Sequence, residues 1–228
     1  EFANAIPDNT FTGLRNLIVM TVMLNLGLRL EEVANLKVSD VDTKNGCAKV
    51  LGKGGKTRTI LFDPDCAEII EAYLKTRHSL LREECASRKT DLMFFSGNRK
   101  TLGNPIDKRS IERSFENYGK KTPYAGKVKY FPHAFRHTFA TYYLIGGGKE
   151  AVLQQFMGHE DIQTTMKYVH YSQIHPDIYE RVNILNPSAK KKKSSREKEW
   201  EMNMLKLNNI IRQKVGLSPI SIESLDAA

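Results

Sequence analysis

A single glycine-rich turn does most to limit what this chain can fold into. Gly52-Lys53-Gly54-Gly55-Lys56 lies between two short runs, Ala48 to Leu51 and Thr57 to Phe62, and reads as a β-hairpin. The rest of the chain is patterned mostly for helices. Leu14, Leu17, Ile18, Met23 and Leu24 recur at helical spacing over residues 10–26, and Gly27 ends the run. A short helix from about Leu30 to Leu36 carries Glu31 and Glu32 in its first turn, where acids suit the positive end of the helix dipole. Asp63-Pro64 supplies an N-cap and a proline at the first helical position of a segment that runs to about Glu84. Residues 92–95 read as a buried strand or core plug, and residues 97–105 as a loop. A basic amphipathic helix spans about 107–121. Pro132 opens a helix that ends at Gly146-Gly147-Gly148. Two shorter helices, 149–157 and 162–171, flank Gly158-His159, and a last one, about 176–185, stops near Pro187. The expected architecture is mainly α with a small antiparallel sheet.

Charge narrows the choice of partner. Thirty-five Lys and Arg face 26 Asp and Glu over 228 residues, a formal charge of +9. Such a surplus points to a polyanion, nucleic acid before an anionic membrane surface. No apolar run is long enough for a bilayer span, and no secretory leader opens the chain. Cys47, Cys66 and Cys85 have no Cys-x-x-Cys spacing, which argues against a disulfide framework or zinc ribbon and for a reducing cytosol. Residues 188–228 hold nine Lys/Arg and five Asp/Glu, including the Lys190–Lys193 run, so about half of the surplus sits in this tail. Trp200, Met204, Leu207 and Ile211 recur there at helical spacing, as an amphipathic helix would require.

Several polar residues invite a chemical reading, each with a bland alternative. Arg29 follows the Gly27 stop, and either serves a site or forms an ion pair with Glu32. Lys53 shares its turn with Lys56 and Arg58, where a lysine either contacts phosphate as a point charge or is simply solvated. The glycines match no Walker sequence. His133 and Arg136, three apart, share a helix face beside the apolar stripe Phe135, Phe139 and Tyr143, whereas His137 points elsewhere. His159 alone reads as a helix-junction residue, and Tyr168, nine residues further on, as core.

Together these elements resemble the catalytic domain of the tyrosine recombinases, the phage integrases and Xer-type resolvases. Gly-Leu-Arg-Leu-Glu-Glu-Val-Ala-Asn-Leu (27–36) resembles the family's first arginine motif, and Gly-Lys-Gly-Gly-Lys-Thr-Arg (52–58) its hairpin lysine. Pro-His-Ala-Phe-Arg-His-Thr-Phe-Ala-Thr (132–141) resembles its His-x-x-Arg box. Met-Gly-His (157–159) and Thr-Thr-Met-Lys-Tyr (164–168) resemble its last histidine and nucleophilic tyrosine. The resemblance covers about residues 10–187.

It implies that Tyr168 attacks a DNA phosphodiester to give a 3′-phosphotyrosine and a free 5′-hydroxyl. Arg29 and Arg136 would clamp the nonbridging oxygens, His159 would donate to the same phosphate, Lys53 would protonate the leaving 5′-oxygen, and His133 would assist proton transfer at the tyrosine. No metal, cofactor or ATP is implied. Lys56, Arg58, Lys108, Arg109 and Arg113 are the candidate DNA backbone contacts. The implied partners are double-stranded DNA with specific recombination sites and three further copies of the chain in a tetramer that exchanges strands through a Holliday junction. The implied setting is cytoplasmic, on the nucleoid. Residues 1–187 would be the catalytic domain and 188–228 an appended tail that packs on a neighbouring protomer, docks in cis, or adds loose phosphate contacts. The family's N-terminal core-binding domain has no counterpart in these residues, so the chain is expected either to be part of a longer protein or to rely on a partner for the clamp around DNA. The same residues would also serve type IB topoisomerase-like nicking and rejoining, or persist in a noncatalytic DNA-binding module. Tyr171, three residues past Tyr168, is the rival nucleophile.

Overall fold

The computed structural model describes residues 1–84, 90–98, 100–173 and 195–221. After a short α1 (Phe2–Ala5), the Thr10 hydroxyl accepts the Gly13 N–H at 3.1 Å and caps α2 (Phe11–Leu26). Gly27 ends α2 in the left-handed region (φ 63°, ψ 25°). A Cβ there would fall 2.3 Å from the Phe139 ring, so only glycine lets the chain turn this close to a neighbouring helix. α2 is buried on nearly every side and forms the centre of the domain. Its polar residues are paired: Arg15 donates to the Phe95 carbonyl at 2.9 Å, and Asn16 to the Tyr118 hydroxyl at 3.2 Å.

α3 (Leu30–Asn35) leads into a three-stranded antiparallel sheet of β1 (Val41–Asp42), β2 (Cys47–Leu51) and β3 (Thr57–Leu61), in that order. The hairpin expectation fits β2 and β3, which pair from Cys47–Leu61 to Leu51–Thr57. Ala48, Val50 and Ile60 point into the core, while Lys49, Leu51 and Leu61 face out, the period of two that fixes register. β1 is too short for any sequence pattern to announce.

Asp63 caps α4 (Pro64–Glu84) by accepting the Cys66 N–H at 2.8 Å. Met93, Phe94 and Phe95 are fully buried between two isolated bridges, Lys37–Leu92 and Phe95–Pro105, so the segment is a core plug rather than a sheet strand. There follow α5 (Lys108–Gly119), α6 (Pro132–Ile145), α7 (Glu150–Met157) and α8 (Ile162–Gln173). A main core gathers around α2. A smaller one joins α6, α7 and α8 through Ala140, Leu144, Leu153, Met157, Tyr168 and Val169. The helix expected over 176–185 lies outside the described residues.

α9 (Ser195–Lys214) packs on α1 and α4 of its own chain. Leu205 and Ile211 are buried, Arg212 pairs with Glu68 at 2.8 Å, and Lys214 donates to the Ile6 carbonyl at 2.7 Å. Among the described residues, no helix is long and apolar enough to cross a membrane.

Candidate nucleic-acid cleavage site

Glu32 organises the site. Its position three residues after Arg29, in the first turn of α3, lets it accept the Arg29 backbone N–H at 2.8 Å. The same buried carboxylate takes Arg58 as a two-pronged pair, at 2.8 and 2.9 Å, and the Arg29 side chain at 3.1 Å. Arg136 approaches its second oxygen at 3.8 Å. Burial alone would push the Glu32 carboxyl up. The hydrogen bonds from Arg58 and the Arg29 backbone, with the charges of Arg58 and Arg136, outweigh it and hold the group below its ordinary value. Among the described residues, one carboxylate against three guanidiniums leaves two uncompensated positive charges.

The arginines are held a second time, by the C-terminal end of α7. Arg58 donates to the Phe156 carbonyl at 2.8 Å, Arg136 to Met157 at 2.6 Å, and Arg29 to Gly158 at 3.2 Å. Carbonyls at a helix end have no partner within the helix and carry its negative pole, so they draw cations. Gly158 leaves the helix at φ 58°, and a Cβ there would lie 3.0 Å from the Arg58 guanidinium. Arg136 also donates to the Gly27 carbonyl, which ties the end of α2 to that of α7. Burial, then the charge of Arg29, lowers Arg136 to about 10 against the pull of Glu32, so it remains a cation at neutral pH.

His159 sits between this cluster and Tyr168. Its Nε2 lies 3.3 Å from Arg136 Nη2, and its Nδ1 lies 2.8 Å from the buried Thr165 hydroxyl. A guanidinium has no acceptor, so Nε2 presents its lone pair to Arg136 and Nδ1 carries the proton toward Thr165. Burial, followed by the charges of Arg136, Arg29 and Arg58, lowers His159 to about 4, which makes the ring neutral at pH 7. Its plane lies parallel to the Tyr168 ring, 7° apart with centroids at 6.2 Å. Burial raises the Tyr168 phenol, opposed by Arg136 and Arg29, so the hydroxyl keeps its proton in the free protein.

Arg29, Arg136, His159 and Tyr168 therefore converge from α3, α6, the α7–α8 junction and α8. His133 is exposed one turn from Arg136 and lines an open groove of about 820 Å³ shared with Arg109, Arg113 and Lys129. The Lys53 backbone lies in a tight turn between β2 and β3, and its side chain lies outside the described residues. Lys56 is exposed beside it. Lys108 is exposed and paired with Glu31 at 3.2 Å.

Two sequence readings need correction. Arg58, expected at the DNA backbone, turns inward: its guanidinium is held by Glu32 and Phe156 and its side chain is only 15% exposed. His137, expected to face away from the site, places Nδ1 2.7 Å from the Tyr168 hydroxyl. The sequence marks Thr165 only as part of the Thr-Thr pair before Tyr168, with no partner of its own, and Glu32 only as a helix-start acid and possible partner of Arg29. The Arg29–Glu32 spacing was a usable signal, whereas nothing local marked Arg58 as their third member. Arg58→Ala is expected to lower unfolding free energy by about 2–3 kcal/mol in chemical denaturation, because it strands a buried acceptor and half of the Glu32 pairing. Wild-type stability with weakened DNA binding would return Arg58 to the DNA surface.

Among the described residues, no group of three or more His, Cys, Asp or Glu is arranged to hold a metal ion. The phage integrase family profile matches residues 2–175. The chain belongs to this family, the tyrosine recombinases. The tyrosine recombinase XerC of Vibrio vulnificus (strain YJ016) is 33% identical over 190 residues, covering 83% of this chain and 56% of that protein. The XerC of Staphylococcus carnosus (strain TM300) is 35% identical over 181 residues, covering 79% and 57%. The chain thus spans a little over half the length of these relatives. Among solved structures, XerA recombinase superposes with a TM-score of 0.63 at 29% identity, covering 79% of this chain and 63% of that one. XerH recombinase bound to its palindromic difH substrate after cleavage gives 0.62 at 25% identity, covering 79% and 50%. The mainly helical fold with one small antiparallel sheet is the tyrosine-recombinase catalytic fold.

Proposed function

We propose that this chain is the catalytic part of a site-specific DNA recombinase that cuts and rejoins strands through a 3′-phosphotyrosine at Tyr168. The observation that carries the reading is the convergence of Arg29, Arg136, His159 and Tyr168 around two uncompensated positive charges. A phosphodiester under attack by a phenol gains charge on its nonbridging oxygens, and a preorganised cationic pocket stabilises that charge more than the ground state. The Tyr168 oxygen bonds to phosphorus, and the bond from phosphorus to the 5′-oxygen breaks. Lys53, on its hairpin turn, gives the leaving oxygen a proton. Thr165 suits His159 to the task, since a hydroxyl both donates and accepts. When phosphate displaces the lone-pair contact with Arg136, Thr165 can donate to Nδ1 and leave Nε2–H for the phosphate. His133, on the groove side, serves proton transfer. Attack by a 5′-hydroxyl from another strand reverses the sequence, so bond energy is conserved and no nucleotide is consumed. In full, the activity runs in a tetramer on paired recombination sites, through a Holliday junction, on nucleoid DNA in the cytoplasm.

The test is to incubate the chain with a pool of randomised duplexes, each nicked beside its centre so that the cleaved end diffuses away. Covalent adducts should accumulate without metal or ATP, and peptide mapping should find the DNA on Tyr168. Failure to form adducts across the pool, or attachment at another residue, overturns the reading. Binding to the recovered duplex should also be strongly salt-dependent. With about six phosphates contacted, affinity falls on the order of 10³-fold between ~50 and ~200 mM salt. A flat dependence in a filter-binding titration would remove the electrostatic account.

A further inference from the structure

We propose that His137 is an additional catalytic residue, the direct proton acceptor for the Tyr168 hydroxyl, and this rests on Tyr168 being the nucleophile. His137 Nδ1 lies 2.7 Å from that hydroxyl, with the ring centroids 5.4 Å apart. The contact is one that a proton can cross without any side chain moving. His133, on the preceding turn of α6, holds its ring centroid 6.4 Å from that of His137, one residue removed from the phenol.

The setting suits an acceptor. Partial burial, then the charges of His133 and Arg136, lowers His137 from its ordinary value, so its ring is neutral at pH 7 with a lone pair available. Among the described residues, the groups facing it are His133 and Arg136 from α6 and Tyr168 from α8. His159, which also lies beside Tyr168, has both ring nitrogens engaged, by Arg136 and Thr165, and meets the phenol with its face. It cannot take the proton in this arrangement. His137 remains exposed on its outer side, so a proton gained at Nδ1 has an exit from Nε2 to water. In the step, the Tyr168 O–H proton passes to Nδ1 as the bond from oxygen to phosphorus forms. Lys53 protonates the departing 5′-oxygen, and His137 ends as imidazolium. On rejoining, the phenolate leaving phosphorus recovers its proton from His137.

The experiment measures single-turnover adduct formation at saturating recovered duplex, with His137→Phe as the main variant and His137→Gln beside it. His137→Phe keeps a ring of similar size without an acceptor and should slow adduct formation roughly 10²–10⁴-fold while DNA affinity and melting temperature hold. His137→Gln can accept the hydrogen bond but not the proton, and should be slowed to a similar degree. The same variants are then made with tetrafluorotyrosine at position 168, a phenol already ionised at neutral pH. An ionised nucleophile needs no acceptor, so the His137 defect should shrink to within about tenfold. A purely structural His137 would show the same defect with either phenol. Wild-type or faster cleavage by His137→Phe, or a defect untouched by fluorination, overturns the proposal. Adducts that map away from Tyr168 would instead overturn the reading beneath it.

Discussion

Tyr168→Phe is expected to yield no covalent adduct on a nicked duplex while binding that duplex as wild type does. The substitution removes one oxygen and keeps the ring that packs with Ala140, Leu144, Leu153 and Met157. What is lost structurally is one hydrogen bond, to His137, so stability should change by no more than about 1 kcal/mol. The chemical loss is total, because phenylalanine offers no nucleophile. Tyr171, three residues later, should be replaceable by phenylalanine without loss of adducts. Denaturing gels of both variants decide the matter. An adduct from Tyr168→Phe, or its disappearance in Tyr171→Phe alone, would move the nucleophile.

The largest effect on the fold should come from Glu32→Gln. The amide keeps the shape of the carboxylate, but it removes the one negative charge facing Arg29, Arg58 and Arg136 and turns an N–H₂ toward donors. Breaking one side of a buried ion cluster costs about 3–5 kcal/mol, on the order of 10 °C in melting temperature for a chain this size. Catalysis should fall as well, since Arg29 and Arg136, the two arginines proposed to clamp the phosphate, lose their common anchor. The effect has a definite pH signature. The Glu32 carboxyl is held below its unfolded value of 4.5, so its contribution is fully present above that pH and is lost as pH falls below it. The melting-temperature gap between wild type and Glu32→Gln should therefore be wide at neutral pH and close in acid. A gap that is the same at both ends would mean that Glu32 acts through shape alone.

How much of this was legible in the sequence depends on the range of the signal. The starts of α4 and α6 were readable because proline and its preceding residue act within one turn, and β2 and β3 because the glycine turn and alternating burial are local. α1 and β1 are four and two residues long and too short for periodicity to show. The apolar spacing of α9 was visible, but its partner was not, since α4 and α9 are brought together only by the finished core. In the site, Arg29, Arg136, His159 and Tyr168 could be picked out through the family resemblance, and the Arg29–Glu32 link through its short spacing. The bond from Arg136 to Gly27 spans 109 positions and that from Arg29 to Gly158 spans 129, and no pattern along a chain encodes such pairings. The inward turn of Arg58 escaped for the same reason. Largely buried between a carboxylate and a helix end, it looks in sequence like any other basic residue beside a basic turn.

The end of α7 works as a measuring edge. Three consecutive carbonyls, at 156, 157 and 158, each receive one arginine, and those arginines come from three separate segments of the chain. The interval between them is the peptide repeat itself. A single residue added or removed inside Phe156-Met157-Gly158 would put at least one guanidinium out of step with its acceptor while leaving each helix able to form. An added residue can be absorbed by an open surface turn such as Gly146-Gly147-Gly148, where a Cβ at Gly147 would meet nothing within 4 Å, but not by this tripeptide.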